Sequence, residues 1–111
     1  DKQSADKQMA FIYKTDVNFK KLIKEIHKTN KIVNRNKFLA YFSYAYIQTC
    51  LTYETNISKV LSEKTSYSQG YVKNIIKECF TKGYLKKSSR GISGGVLTPK
   101  TINYLKQLSL K

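Results

Sequence analysis

The amino-acid sequence predicts one small domain that is mainly α-helical and carries a single β-hairpin, an α+β fold. Its 111 residues, 41% of them hydrophobic, suffice for one compact core and one domain. Apolar residues recur at helical spacing in several segments. Near the C-terminus, a glycine-rich stretch separates two short runs that suit β-strands. No apolar run reaches the roughly 18 residues that a membrane-spanning helix needs, so we expect no membrane partner.

The first half of the chain predicts a tail followed by a helix. We expect residues 1–15 to be an N-terminal tail or extension, and residues 16–111 to form the single domain. Within the tail, the apolar run Met9–Tyr13 either extends the first helix or packs against a second subunit. Asp16 is a plausible N-cap. The apolar positions at helical spacing after it are Phe19, Leu22, Ile23 and Ile26.

The second helix is predicted from Lys37 to about Thr52, with Asn34 or Asn36 as its N-cap. It is apolar on nearly every side. Such a helix is either central in the core or shared between a core and a dimer interface, and the small size of the domain favours the shared arrangement.

Two helices joined by a turn are predicted over about residues 56–82, an arrangement typical of a helix-turn-helix. The turn is expected at Lys64–Tyr67, after which Ser68 caps the second helix. Gly83 lies where a left-handed residue commonly ends a helix. The apolar stripe of the second helix is Val72, Ile75, Ile76, Cys79 and Phe80.

A hairpin is predicted next, over about residues 84–98, with strands at Tyr84–Ser88 and Val96–Thr98. Its glycine-rich tip contains Arg90. A C-terminal helix follows over about residues 99–109, with a proline at its first position. Helix-turn-helix, strand, basic hairpin, strand and helix, in this order, form a winged helix-turn-helix.

The segment from Ile57 to Leu105, ISKVLSEKTSYSQGYVKNIIKECFTKGYLKKSSRGISGGVLTPKTINYL, resembles the winged-helix regulators of the MarR and ArsR type. The most informative pieces are VKNIIKECFTKGYLKK, similar to a recognition helix that leads into a strand, and VLTPKTINYL, similar to the second strand and final helix. The resemblance implies a homodimer on double-stranded DNA. The second motif helix would enter the major groove, and the wing would reach the backbone or the minor groove.

The sequence also departs from these families. The wing is short and glycine-rich, with Arg90 as its one arginine, and the cysteine and histidine ligands of metal-sensing ArsR proteins are missing. Both departures argue against the usual sensing of small effectors or metals, so we expect no cofactor. The centromere-binding adaptors of tubulin-type plasmid partition systems are similar in size and also have no sensor domain.

The residues expected to contact DNA lie opposite the apolar stripe of the second motif helix, in the turn before it, and in the wing. Asn74 suits a bidentate contact with adenine, whereas Lys73 and Lys77 suit guanine or phosphate. Gly70 would let the helix backbone approach the DNA, and the serines near the helix N-terminus suit phosphate. The complete set is Ser66, Tyr67, Ser68, Gln69, Gly70, Lys73, Asn74, Lys77, Lys86, Lys87 and Arg90.

Charge is distributed unequally along the chain. The net charge is +14; residues 56–111 carry 11 Lys and Arg against 2 Asp and Glu (+9), and residues 1–55 carry 10 against 5 (+5). Positive charge thus concentrates in the half with the predicted DNA-reading elements. The lysines between Lys20 and Lys28 form either a second DNA contact or a solvated face, and the sequence alone favours the solvated face.

Catalysis is not expected. His27 and two widely spaced cysteines, Cys50 and Cys79, match no metal site and no nucleophile–base pair. We interpret the cysteines as small buried apolar residues, with oxidation of Cys79 as the alternative. No secretory segment is expected, so a cytoplasmic location, associated with nucleoid or plasmid, is predicted. The preference for Lys over Arg is typical of AT-rich bacterial and phage genomes.

Three functions remain open from the sequence. A homodimeric, sequence-specific DNA-binding protein, most simply a transcriptional repressor, is the leading hypothesis. The alternative is a centromere-binding adaptor for plasmid or phage DNA partition, which would recruit a filament-forming NTPase. A third possibility is a winged helix used for contact with RNA or protein.

Overall fold

The computed structural model describes residues 19–53, 55–87 and 95–107, which form five helices and one two-stranded hairpin. A mainly helical fold with a small antiparallel hairpin, compatible with the α+β class, is thereby confirmed. The expectations for the tail at residues 1–15, for Asp16 and for Arg90 lie outside the described residues. In chain order the elements are α1 (Phe19–Lys31), α2 (Arg35–Thr52), α3 (Ile57–Thr65), α4 (Gln69–Thr81), β1 (Leu85–Lys86), β2 (Val96–Leu97) and α5 (Pro99–Lys106).

Helix α2 is the centre of the core. Every residue from Phe38 to Ala45 is buried, and α1, α3, α4 and α5 all pack on this helix. Two hydroxyls within it bond to the backbone of the same helix, since Ser43 donates to the carbonyl of Leu39 and Thr49 to that of Ala45, both at 2.7 Å. Within one chain the helix is therefore central in the core, and its place in a dimer interface stays a prediction.

A tight turn joins α1 to α2. The backbone N–H of Asn34 donates to the carbonyl of Thr29 at 2.9 Å, and Val33 adopts a left-handed conformation with φ 58°. Asn34 then caps α2, because its side-chain oxygen accepts from the N–H of Lys37 at 3.2 Å. The prediction of Asn34 as one of two possible caps is confirmed.

The connection between α3 and α4 is shorter than the sequence suggested. Helix α3 continues through Thr65, so the turn comprises Ser66 to Ser68 and not Lys64–Tyr67. Ser66 makes this reversal with φ 66°. The predicted cap at Ser68 is confirmed, since its hydroxyl accepts from the N–H of Tyr71 at 3.2 Å.

The hairpin strands are also shorter than predicted, with Leu85 opposite Leu97 and Lys86 opposite Val96. Gly83, with φ 81°, lies just beyond the end of α4 as predicted. Thr98 stands at the N-cap position of α5, but its hydroxyl donates to the carbonyl of Gly83 at 2.7 Å and does not cap the helix. This bond fastens the start of α5 to the end of α4.

Candidate nucleic-acid interface

Helix α4 presents a polar, positively charged face to solvent. Its opposite side is anchored in the core by Val72, Ile75 and Cys79, all of them buried. The helical repeat therefore turns the remaining positions outward. The exposed residues of the outward face are Gly70, Lys73, Asn74, Lys77 and Thr81. The structure thus brings Lys73, Asn74 and Lys77 together on one accessible surface.

The turn before α4 and the first residues of the helix are equally accessible. Ser66, Ser68 and Gln69 are exposed, although the hydroxyl of Ser68 is engaged in the helix cap. A Cβ atom at Gly70 would meet nothing within 4 Å apart from its chain neighbours and the backbone of its own helix, so the glycine is not required for packing. Open space at this position leaves the helix backbone accessible to a large ligand.

Tyr67 is placed differently from the expectation. It lies in the turn before α4, as predicted, but its side chain packs toward α1 and is not fully exposed for a DNA contact. Its ring is half-buried, with edge contacts to His27 at 5.0 Å and to Tyr71 at 4.9 Å between ring centroids. Its hydroxyl accepts a hydrogen bond from the amide of Asn30 at 3.1 Å. Burial raises the pKa of this phenol. Tyr67 thus fastens the turn to α1.

The acidic residue of α4 is paired with a residue that the sequence reasoning did not select. Arg35 donates from Nε to Oε2 of Glu78 at 3.1 Å, and its Nη2 donates to Oε1. Lys82 lies 3.2 Å from the same carboxylate. The hydrogen bond from Arg35, followed by that from Lys82, lowers the pKa of Glu78 despite partial burial. The carboxylate is therefore neutralised by two cations, and the outward face of α4 stays positive.

A second basic flank lies on the other side of α4. A shallow groove of about 390 Å³ runs between the start of α3 and α4, and Lys59 and Lys73 both line it. The polar residues Asn56, Ser58 and Gln69 line the same groove. Lys59 was missed because it belongs to the first motif helix. Only the packing of α3 against α4 brings it beside Lys73.

The hairpin continues this surface. Lys86 and Lys87 are exposed, whereas the predicted contact Arg90 lies outside the described residues. The hairpin packs against α4. A Cβ atom placed on Gly95, the residue before β2, would lie 3.3 Å from the ring of Phe80 in α4. The two lysines are thus attached to the end of α4.

The two thiols are not part of this surface. Cys79 is buried, its Sγ lies 3.5 Å from the carbonyl oxygen of Leu39, and burial raises its pKa to about 12. The interpretation of a small buried residue is confirmed for Cys79. Cys50 is half-buried, and burial raises its pKa as well. In the part of the chain that the structure describes, no three His, Cys, Asp or Glu side chains are grouped to hold a metal ion.

Over the described ranges, no helix has the length and apolar character needed to cross a lipid bilayer. No protein-family model, curated protein or solved structure matches this chain.

Proposed function

We propose that this chain is a winged helix-turn-helix protein of the MarR/ArsR-like type that binds double-stranded DNA in a sequence-specific manner as a homodimer. Its simplest role is that of a transcriptional repressor. The observation that carries the proposal is the outward face of α4. There Lys73, Asn74 and Lys77 are exposed together while the opposite side of the helix is fixed in the core.

The chemistry of this face suits the major groove. An exposed asparagine amide pairs with the N6 and N7 positions of adenine, and lysine reaches guanine or phosphate. Helix α4 has 13 residues, a length of about 20 Å at 1.5 Å per residue, which exceeds the groove width of about 12 Å. Its first turns would meet base edges while its last turn stays with the hairpin.

The flanks of α4 supply the electrostatic part of binding. Lys59 in the groove beside α3 and Lys86 and Lys87 in the hairpin surround the outward face with positive charge. Phosphate contacts of this kind provide affinity and position the protein, whereas base contacts provide specificity. The proposal therefore assigns specificity to α4 and affinity to its surroundings.

The test uses two single variants and a matched control. Asn74→Ala and Lys77→Ala should each weaken binding to a preferred duplex, by about 1–3 kcal/mol if the contact is bidentate. Asn74→Ala should reduce the base preference at one or two positions of the site. Loss of a phosphate contact at Lys77 would instead weaken binding to duplexes of every sequence alike. Lys106→Ala, at an exposed position of α5, removes the same charge as Lys77→Ala from a different helix. Unchanged sequence preference in both α4 variants would contradict the assignment of the reading helix.

Selection of fragments from a genomic and plasmid library at physiological salt with competitor DNA addresses the biological role. Recovery of one isolated operator would support a repressor. Recovery of a cluster of tandem repeats would instead identify a segregation adaptor. Recovery of fragments from all over the library, with a steep salt dependence, would show that the protein binds DNA without recognising its sequence. Equal affinity for matched RNA and DNA duplexes would replace the DNA proposal with an RNA-binding one.

A further inference from the structure

We propose that the exposed lysine row of α1 is a second DNA contact, which binds the phosphates that flank the segment read by α4. This inference rests on the proposed function and extends its binding surface. The row consists of Lys20, Lys24, His27 and Lys31, and we assign the phosphate contacts to Lys24 and Lys31, the two lysines of the row nearest His27 in sequence.

The row follows from the helical repeat of α1. Its four members are separated by four, three and four residues, which places them on one face of an α-helix. All four are exposed, while Leu22, Ile26 and Thr29 on the opposite side are buried. Seven residues separate Lys24 from Lys31, about 10 Å along the axis at 1.5 Å per residue. That length spans about three phosphates of one DNA strand at 3.4 Å each.

Contacts with the turn before α4 determine where the row lies. The ring of His27, a member of the row, packs edge-on against Tyr67 at 5.0 Å between centroids. Asn30, beside Lys31, donates to the hydroxyl of Tyr67 at 3.1 Å. Tyr67 stands two residues before the first residue of α4. The row therefore runs beside the end of α4 that would enter the major groove, with Lys24 and Lys31 each one helical turn from the contact.

The charge around the row matches a polyanion. The row itself contains no acidic residue, and Glu25 is half-buried on another side of α1. On the neighbouring face, the carboxylate of Glu78 is paired with Arg35 and Lys82. Neither the row nor the outward face of α4 therefore carries an unpaired carboxylate. Duplex DNA is the partner that two neighbouring positive faces favour, because a single groove-bound helix leaves phosphates on both of its sides.

A purely structural role for the lysines is the competing interpretation. Lys31 lies in the last turn of α1, where a cation stabilises the helix dipole by a few tenths of a kcal/mol. A role of that kind would change the stability of the protein and leave DNA binding unchanged. A binding measurement on folded variants therefore separates the two interpretations.

The experiment uses a duplex of about 40 base pairs that the wild-type protein selects from a random-sequence pool. K24A/K31A is compared with K64A/K106A, which removes the same two charges from exposed lysines on α3 and α5. At about 100 mM salt, K24A/K31A should bind about tenfold or more weakly, and the slope of log K against log [salt] should become shallower by about 2 per protomer. K64A/K106A should bind like the wild type, and K24R/K31R should recover most of the loss. In hydroxyl-radical footprints, K24A/K31A should lose protection only at the flanks.

The outcomes distinguish this inference from the proposed function. If K24A/K31A and K64A/K106A show the same affinity and the same footprint as the wild type, α1 is a solvated face and only this inference is wrong. If the wild-type protein recovers no duplex at all, the proposed function is wrong and the inference falls with it. A circular-dichroism spectrum and unfolding curve for each variant confirm that the folded proteins are being compared.

Discussion

Val33 has a backbone conformation that a β-branched side chain disfavours. It lies in the turn between α1 and α2 with φ 58°, although β-branched residues avoid the left-handed region. Its side chain is 83% exposed, so packing does not compensate for the strain. The conformation is required because the N–H of Asn34 must reach the carbonyl of Thr29 to end α1.

Val33→Gly should therefore stabilise the protein. Relief of left-handed strain, worth about 1–2 kcal/mol, exceeds the entropy cost of a glycine, about 0.5–1 kcal/mol. We expect the free energy of unfolding in urea to rise by about 0.5–1 kcal/mol. Val33→Ala is the control, because it removes the exposed side chain but keeps the left-handed penalty of an L-residue. An equal effect of both variants would contradict strain as the cause.

Two glycines with positive φ provide a second test at the residue scale. Gly83 has φ 81° with open space around it, whereas a Cβ at Gly95, with φ 98°, would lie 2.5 Å from the carbonyl oxygen of Lys86. Gly83→Ala should cost about 1 kcal/mol from conformation alone. Gly95→Ala adds a clash with the backbone of the partner strand and should cost about 3 kcal/mol. Urea unfolding measures the loss in free energy of unfolding for both variants. Equal losses would show that the hairpin accommodates the added Cβ atom at position 95 without a further cost.

At the scale of elements, α4 is held in position by ties to two other helices. Arg35 at the start of α2 donates to the carboxylate of Glu78 in the third turn of α4 and also lies over the ring of Phe38, 4.9 Å from its centroid. Tyr67 joins the turn before α4 to α1 through Asn30. Because these ties meet α4 near both ends, they fix the direction in which its outward face points.

The tie between Arg35 and Glu78 predicts a pH dependence of stability. The hydrogen bonds from Arg35 and Lys82 hold the pKa of Glu78 below the ordinary value of a glutamate. The carboxylate therefore stabilises the folded state above about pH 4.5, and this contribution is lost as the pH falls through the lower folded-state pKa. We expect Glu78→Gln to cost about 1 kcal/mol at pH 7 in urea unfolding, and less at about pH 2.5.

Glu63→Gln serves as the matched control for that experiment, because Glu63 is exposed on α3. It should leave the free energy of unfolding within about 0.5 kcal/mol of the wild type at both pH values. Glu78→Gln and the wild type are compared by their free energies of unfolding. If these differ by the same amount at both pH values, the ionised carboxylate contributes nothing to stability.

At the scale of the whole molecule, the net charge of +14 makes the proposed binding strongly dependent on salt. If each protomer neutralises three to five phosphates, a dimer gives a slope of log K against log [salt] of roughly −5 to −9. Fluorescence anisotropy with a labelled duplex between about 50 and 200 mM salt measures this slope. A slope near −2 would show that the basic surface does not face the backbone.

The burial of α2 bears on the proposed dimer. Residues Phe38–Ala45 are enclosed within one chain, so this stretch does not offer a free apolar face to a second subunit. The proposed homodimer therefore has to form elsewhere, and the run Met9–Tyr13 lies outside the described residues. Light scattering on the full chain should give twice the mass of one protomer without DNA, and that mass plus one duplex in the complex. One protomer alone, and one protomer per duplex in the complex, would contradict the dimer.

The sequence by itself determined the local structure, because local structure depends on neighbouring residues. The cap at Ser68, the buried stripe at Val72, Ile75 and Cys79, and the end of α4 at Gly83 all follow from spacings within a few positions. The exposure of Lys73, Asn74 and Lys77 follows in the same way from the helical repeat. Each of these features was predicted without knowledge of any other element.

The tertiary structure alone decided which of these surfaces lie together. Nothing in the spacing of residues showed that Arg35 would neutralise Glu78, that Lys59 would line a groove with Lys73, or that Tyr67 would turn inward to meet Asn30. These pairs are 14 to 43 residues apart in sequence, and they meet only because α1, α3 and α4 pack around α2. Local spacing sets which side of a helix is apolar, whereas the packing of those apolar sides sets which polar sides become neighbours.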